Sequence, residues 1–183
     1  MTAHRTTGST TRDLGLLLLR VGVGSALFAH GAQKLFGWFG GGGVEGTAEF
    51  LGSAGFEPPK LNAALAGAGE AGSGVLLALG LGTGPAAAAA TATMVTAGSV
   101  HAPNGFFGQS GGYELPATYA LAATALALTG PGRLSLDHAT GHLLSRPGLT
   151  RLAYVGAIAG AAYTIWSRRQ TLEARGEAEQ DAT

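Results

Sequence analysis

The sequence predicts an all-α integral membrane protein: a four-helix transmembrane bundle with a fifth apolar helix near the C-terminus. Three observations carry that expectation. Only 12% of the 183 residues are Asp, Glu, Lys or Arg, about half the share usual in soluble domains. Apolar runs of membrane-helix length recur along the chain, separated by Gly- and Pro-containing turns. Arg20, His30 and Glu70 sit inside those runs, whereas a water-soluble amphipathic helix would segregate them onto a polar face.

The first crossing is read over residues 14–37, after a polar tail at 1–13 that has the composition of a disordered cytoplasmic segment. About 24 residues at 1.5 Å each exceed a hydrocarbon core of about 30 Å, and Trp38 and Phe39 fall where an aromatic belt would lie. A basic start and "SALFA" also suggest a cleaved signal, but Arg20 within the apolar core and the further spans downstream favour an uncleaved helix. Residues 40–59 carry Glu45, Glu49 and Glu57 among glycines and prolines, and read as an external loop with a short helix near 44–51.

A second span covers 61–81, with Glu70 near its centre. "GTGP" at 82–85 is a tight turn. "GLGTGP" lacks the Lys-Ser/Thr of a phosphate loop. The third span, 86–101, is weakly apolar, and its Ala, Gly, Ser and Thr suit close packing against neighbours. After a loop at 102–113, the fourth span runs 114–129 with Pro116 in its first turn. Residues 138–151 form a basic linker, 152–167 the fifth candidate crossing, and 168–183 a polar tail. Gly156 and Gly160 give the fifth helix a G-x-x-x-G spacing that favours tight helix packing. Basic residues flanking the first and fourth spans, against an acidic loop between the first and second, predict a cytoplasmic N-terminus.

Composition excludes several chemistries. A formal net charge of zero provides no basic field for nucleic acid. With no cysteine, the chain has no disulfide, thiol nucleophile or iron–sulfur ligand, so electron transfer would need a bound group. His138 and His142, at i and i+4, lack the Glu of a zinc-protease helix and read as solvated surface residues. No metal site is expected.

An ionisable group at bilayer depth costs several kcal/mol unless it faces protein or water. By helical rise, His30 lies about 10 Å and Glu70 about 13 Å below the outer surface, so the two are level. Arg20 lies about 7 Å from Glu70 in depth, which leaves two candidate partners for the carboxylate, Arg20 and His30. Gln33 and Lys34 follow His30 at i+3 and i+4, on one face, and Lys34 is near enough to the surface to snorkel outward. His101, Asn104 and Glu114 gather at the same end, with Phe106 and Phe107 capping it. Lys34 and Glu114 also fit an anchoring role, and His101 and Asn104 a helix-capping one.

The segments "LLLLRVGVGSALFAHGAQKLFGWFGGGGVEGTAEFLGSAGF", "AGAGEAGSGVLLALGLGTGPAAA", "HAPNGFFGQSGGYE" and "LALTGPGRLSLD" resemble the DoxX family of small bacterial membrane proteins, across about residues 14–137. The resemblance implies a four-helix membrane core and an association with redox physiology, including quinone-linked oxidation and thiol or oxidative-stress defence. Its matching residues are Arg20, His30, Gln33, Lys34, Glu70, His101, Asn104 and Glu114.

These observations lead to a redox-associated inner-membrane subunit that binds a quinone or similar apolar molecule. His30 would exchange a proton, Glu70 would orient it, and His101 or Glu114 would connect to the outside. A small proton-linked transporter and a non-catalytic scaffold for a redox or stress-defence enzyme are the alternatives. The expected partners are the lipid bilayer, a redox partner protein and a second copy of the chain.

Overall fold

Glycines in a left-handed backbone conformation divide the chain. Gly80 (φ +66) and Gly82 (φ +56) turn it between the third and fourth long helices, in a region glycine enters without steric cost. A computed structural model describes residues 3–182, with side chains from residue 10 onward. The helices are α1 (Ala3–Phe36), α2 (Gly43–Ser53), α3 (Pro59–Leu79), α4 (Thr83–His101), α5 (Glu114–Thr129), α6 (Leu136–Ala139) and α7 (Pro147–Asp181). No strand occurs among the described residues. Pro59 and Pro147 open their helices at positions where a missing N–H costs little.

Two helices outrun their expected ends. α1 starts at Ala3, within the tail expected at 1–13, of which residues 1 and 2 lie outside the described residues. Once the apolar stretch has nucleated a helix, each added residue brings a hydrogen bond, and no proline interrupts it here. α7 likewise runs through the expected polar tail to Asp181, because "SRRQTLEARGEAEQ" is rich in strong helix formers. Residue 183 of that tail lies outside the described residues. The expected linker at 138–151 contains the end of α6 and the start of α7.

Helices α1, α3, α4 and α5 enclose the core, where Leu16, Leu27, Leu77, Met94 and Leu126 meet a layer of alanines. α1 and α3 run antiparallel and nearly touch. An ideal Cβ on Gly24 would lie 2.5 Å from the Gly74 carbonyl oxygen, and one on Gly31 would lie 2.3 Å from the Ala71 nitrogen. Thr91 and Thr124 hydroxyls meet at 3.2 Å between antiparallel α4 and α5. α7 lies parallel to α4, beside Gly84 through Thr150 at one end and beside Ser99 through Arg168 at the other.

Polarity is distributed inside out. Arg20, Glu70 and Asp137 are at most 2% exposed, while Leu18, Leu121, Leu128 and Leu152 are each 69% exposed or more. Among the described residues, one helical segment, Thr10–Phe36, is by itself long and apolar enough to cross a membrane.

Candidate functional site

The glycine contact between α1 and α3 fixes which side chains meet. Gly31 faces Gly67 and Ala71, so His30 and Glu70 are level, as helical rise predicts. The His30 ring nevertheless turns toward α5 and meets Tyr119 edge to face, with centroids 5.9 Å apart. Glu70 is instead paired with Lys34, whose Nζ lies 2.6 Å from Oε2. The Lys34 Cβ packs beside Gly67, one turn nearer the end of the bundle, and the side chain reaches back about one 5.4 Å turn to the carboxylate.

This corrects the expected Arg20 or His30 pairing, and also the outward snorkelling of Lys34. A carboxylate with only 3% of its side chain exposed needs a counter-charge more than the ammonium needs water. His30 and Glu70 line the smaller cavity together, without a hydrogen bond between them.

Arg20 belongs to the opposite end of the bundle. Its Nη1 donates to the carbonyls of Ala78 at 3.2 Å and Leu77 at 3.5 Å, in the last turn of α3, and its Nη2 donates to the Leu134 carbonyl. The guanidinium therefore satisfies the Ala78 carbonyl, which the helix leaves unpaired at its C-terminus, and adds a second donor to Leu77, which also accepts from the Gly80 N–H at 3.0 Å; the dipole there favours a cation as well. Asp137, fully buried close by, closes the start of α4 with acceptor oxygens 2.8 Å from the Gly82 N–H, 2.9 Å from the Thr83 N–H and 2.8 Å from the Thr83 hydroxyl. Burial pushes the Asp137 carboxyl up, but hydrogen bonds from Ser145, Thr83 and Gly82 outweigh it and hold the group below the usual carboxylate range.

Two cavities meet at the Lys34–Glu70 pair. The larger, about 590 Å³, has α4 as its floor, α3 and α7 as its walls, and Phe50 and Leu51 of α2 above it. Gly156 and Gly160 line it, and an ideal Cβ on either meets nothing within 4 Å. The expected G-x-x-x-G packing face is thus the wall of a groove. Its space comes from α7 resting on α4 beside α3. The smaller cavity, about 290 Å³, is lined by His30, Met94 and Tyr119 and by backbone at Gly108, Gly111 and Gly112. Lys34, Glu70, Ala97 and His101 border both cavities.

The remaining expected site residues organise the loop above. His101 Nδ1 lies 2.8 Å from the Gly111 carbonyl oxygen, which also accepts from Asn104 Nδ2 at 3.2 Å, so both anchor the returning loop and leave the end of α4 uncapped by their side chains. Glu114 Oε2 accepts from the Gly108 N–H at 2.9 Å. Gln33 Nε2 donates to the Phe39 carbonyl and lies outside both cavities. Phe106 and Phe107, 46% and 66% exposed, meet edge to face, Phe106 also meets Tyr113 edge to face, and neither phenylalanine lines either cavity.

Sequence reasoning missed Tyr119 and Met94. Tyr119 had a readable signal, a polar-tipped aromatic in the Ala-rich run of α5, whereas Met94 had none beyond its place four residues before Gly98. His138 and His142 pair edge to face, with ring centroids 5.8 Å apart. No group of three His, Cys, Asp or Glu able to hold a metal occurs among the described residues.

Residues 15–103 match the DoxX family. The match covers α1 from its apolar stretch, α2, α3 and α4, and stops short of "LALTGPGRLSLD" and Glu114, which the resemblance included. No curated protein and no solved structure matches the chain. The matched stretch supplies both halves of the Lys34–Glu70 pair and His30 and His101 beside it; over residues 15–103 the chain is similar to the DoxX family of membrane proteins.

Proposed function

We propose that the chain is a multi-pass protein of the bacterial inner membrane, with a cytoplasmic N-terminus, α1, α3, α4 and α5 as crossings and α7 as a fifth. In this reading it is a redox-associated subunit that holds a quinone or similar apolar ring compound beside Glu70. The observation that carries the reading is a buried ion pair at the junction of a long, largely alanine- and glycine-lined groove and a second, smaller cavity.

The residues present fit such a head group. Lys34 has donors for a carbonyl oxygen, Glu70 has acceptors for a hydroxyl, and the alanine- and glycine-lined groove accommodates an apolar tail. The groove follows α4 from Pro85 to His101, about 24 Å by helical rise. A bound quinone would supply the electron-accepting chemistry that a chain without cysteine lacks. His30 and His101 stand near enough to exchange protons with the site.

Mass spectrometry of the protein gently extracted from membranes tests this reading. It should find a retained quinone and a redox partner chain, with the quinone reduced severalfold in Glu70→Gln. Absence of any quinone together with unchanged cellular redox activity in Glu70→Gln would overturn it. A scaffold would keep full partner activity in a His30→Ala, Glu70→Ala double variant, and a transporter would give proton-dependent flux in reconstituted vesicles.

A further inference from the structure

We propose that the smaller cavity is a hydrated passage through which Glu70 exchanges protons with the outer aqueous phase, and that His101 relays them. The inference rests on the membrane-spanning reading and deepens it by naming the side of the membrane to which the buried carboxylate is connected.

The two cavities share one boundary and bring different groups to it. The groove side of the Lys34–Glu70 pair is lined mainly by alanine and glycine, with Asn62 of α3, Thr93 and Thr96 of α4 and Thr164 of α7 among them. The other side presents His30, Tyr119 and three loop glycines without side chains. A water occupies about 30 Å³ in the liquid and needs two to four polar partners when buried. The smaller cavity, about 290 Å³ and lined by His30, Lys34, Glu70, His101 and Tyr119, has both the room and the partners for several.

His101 is built as a relay by its contact with the loop. The Gly111 carbonyl, 2.8 Å from Nδ1, can only accept, so Nδ1 carries the proton of the neutral ring and Nε2 is left with a lone pair. The ring borders both cavities and is partly exposed. A proton leaving the Glu70 carboxyl passes through water to Nε2 of His101 and is then released outside, and the carboxylate left behind stays paired with Lys34. The titratable groups facing this path are Lys34 and His30 from α1, His101 from α4 and Tyr119 from α5, with Glu114 held at the mouth by Gly108.

The chain has no cysteine, so single cysteines report hydration directly. The full chain in spheroplast membranes is treated from outside with a membrane-impermeant, positively charged methanethiosulfonate. Leu115→Cys marks the mouth of the smaller cavity, Met94→Cys its floor, and Leu121→Cys, 73% exposed on the outer surface of the bundle, the lipid side. Met94→Cys should react within tenfold of the Leu115→Cys rate and at least a hundredfold faster than Leu121→Cys. If it is as slow as Leu121→Cys, the passage is dry and the inference falls. Should Met94→Cys fail to accumulate, Tyr119→Cys, which lines the smaller cavity and not the larger, serves in its place.

In a second measurement, the infrared band of the protonated Glu70 carboxyl, identified by its absence in Glu70→Gln, is followed after a pH step outside reconstituted vesicles. His101→Gln keeps a donor for Gly111 but cannot titrate, and should slow the response more than tenfold; an unchanged rate would remove His101 as the relay. Neither readout requires a bound quinone. Intact labelling with no retained quinone therefore counts against the proposed ligand alone, and a retained quinone with a dry Met94→Cys counts against the passage alone.

Discussion

Arginine side chains close the helices of this protein. Arg12 donates to the Thr129 carbonyl at the end of α5, Arg20 to Leu77 and Ala78 at the end of α3, and Arg175 to Gly52 in the last turn of α2. Arg168 joins two ends, donating to Ala54 after α2 and Ser99 in α4. Each brings a positive charge where the dipole favours one; Thr129, Ala78, Ala54 and Ser99 gain a donor there, while Leu77 and Gly52 also accept from the Gly80 and Gly55 N–H groups. Arg20 differs in being fully buried. Arg20→Met should cost about 3 kcal/mol, because it strands buried carbonyls, whereas Arg175→Met at the exposed end of α7 should cost less than about 1 kcal/mol. Thermal unfolding in mild detergent checks both.

Asp137 makes a pH prediction of definite sign. Its folded value is below the ordinary 3.8, so the folded state favours the carboxylate. The associated stability is present above that ordinary value and is lost as pH falls through the lower folded one. Wild type should therefore exceed Asp137→Asn in stability at neutral pH, and the gap should close below about pH 4, as read by detergent unfolding across pH. That Arg20 needed a partner was legible from its place in an apolar run. The partner was not, because a helix-end carbonyl belongs to no residue type and leaves no mark in a sequence.

Among the elements, α5 coincides with the expected 114–129, α3 is shifted by two residues from 61–81, and α4 starts at Thr83, inside the turn expected at 82–85, with Pro59, Gly80, Gly82 and Gly130 at the observed boundaries. Helical rise also set His30 level with Glu70. It failed at the next step because it counts backbone height and not the reach of a side chain, and so missed Lys34 bending inward by a turn. The two glycine patterns look alike in sequence and do opposite things. In Gly31→Ala the new Cβ would meet the backbone of α3, separating the helices at a cost of about 1–3 kcal/mol. Gly156→Leu should leave the melting temperature within a few degrees while displacing whatever the groove retains, because its Cβ points into open space. Unfolding curves and the retained small-molecule content, measured on the same preparations, separate the two.

Over the whole molecule, large aliphatic side chains face outward while Arg20, Glu70 and Asp137 face inward. Such a surface would be costly in water and suits a hydrocarbon surrounding, in which packing, and not exclusion from solvent, holds helices together. The direction of α7 extends the topology reading. It starts beside the first turn of α4 and passes the last, so the two ends of α7 belong to opposite faces of the bundle. A cysteine at His142 and another at Ala178 should accordingly be labelled from opposite sides of the membrane by an impermeant reagent. Labelling of both from one side would remove α7 as a crossing.

The far end of α7 grips α2: Arg168 and Arg175 hold Ala54 and Gly52, Arg175 also binds Glu57, and Leu172 crowds Gly55. Phe50 and Leu51, above the groove, are thereby latched by a segment on the other side of it in sequence. Cutting the chain after Ser167 would leave every wall in place yet unfasten the roof. If the groove holds the proposed guest, that molecule would then escape sooner without binding any less specifically, and the charged C-terminal stretch would act as a timer for occupancy.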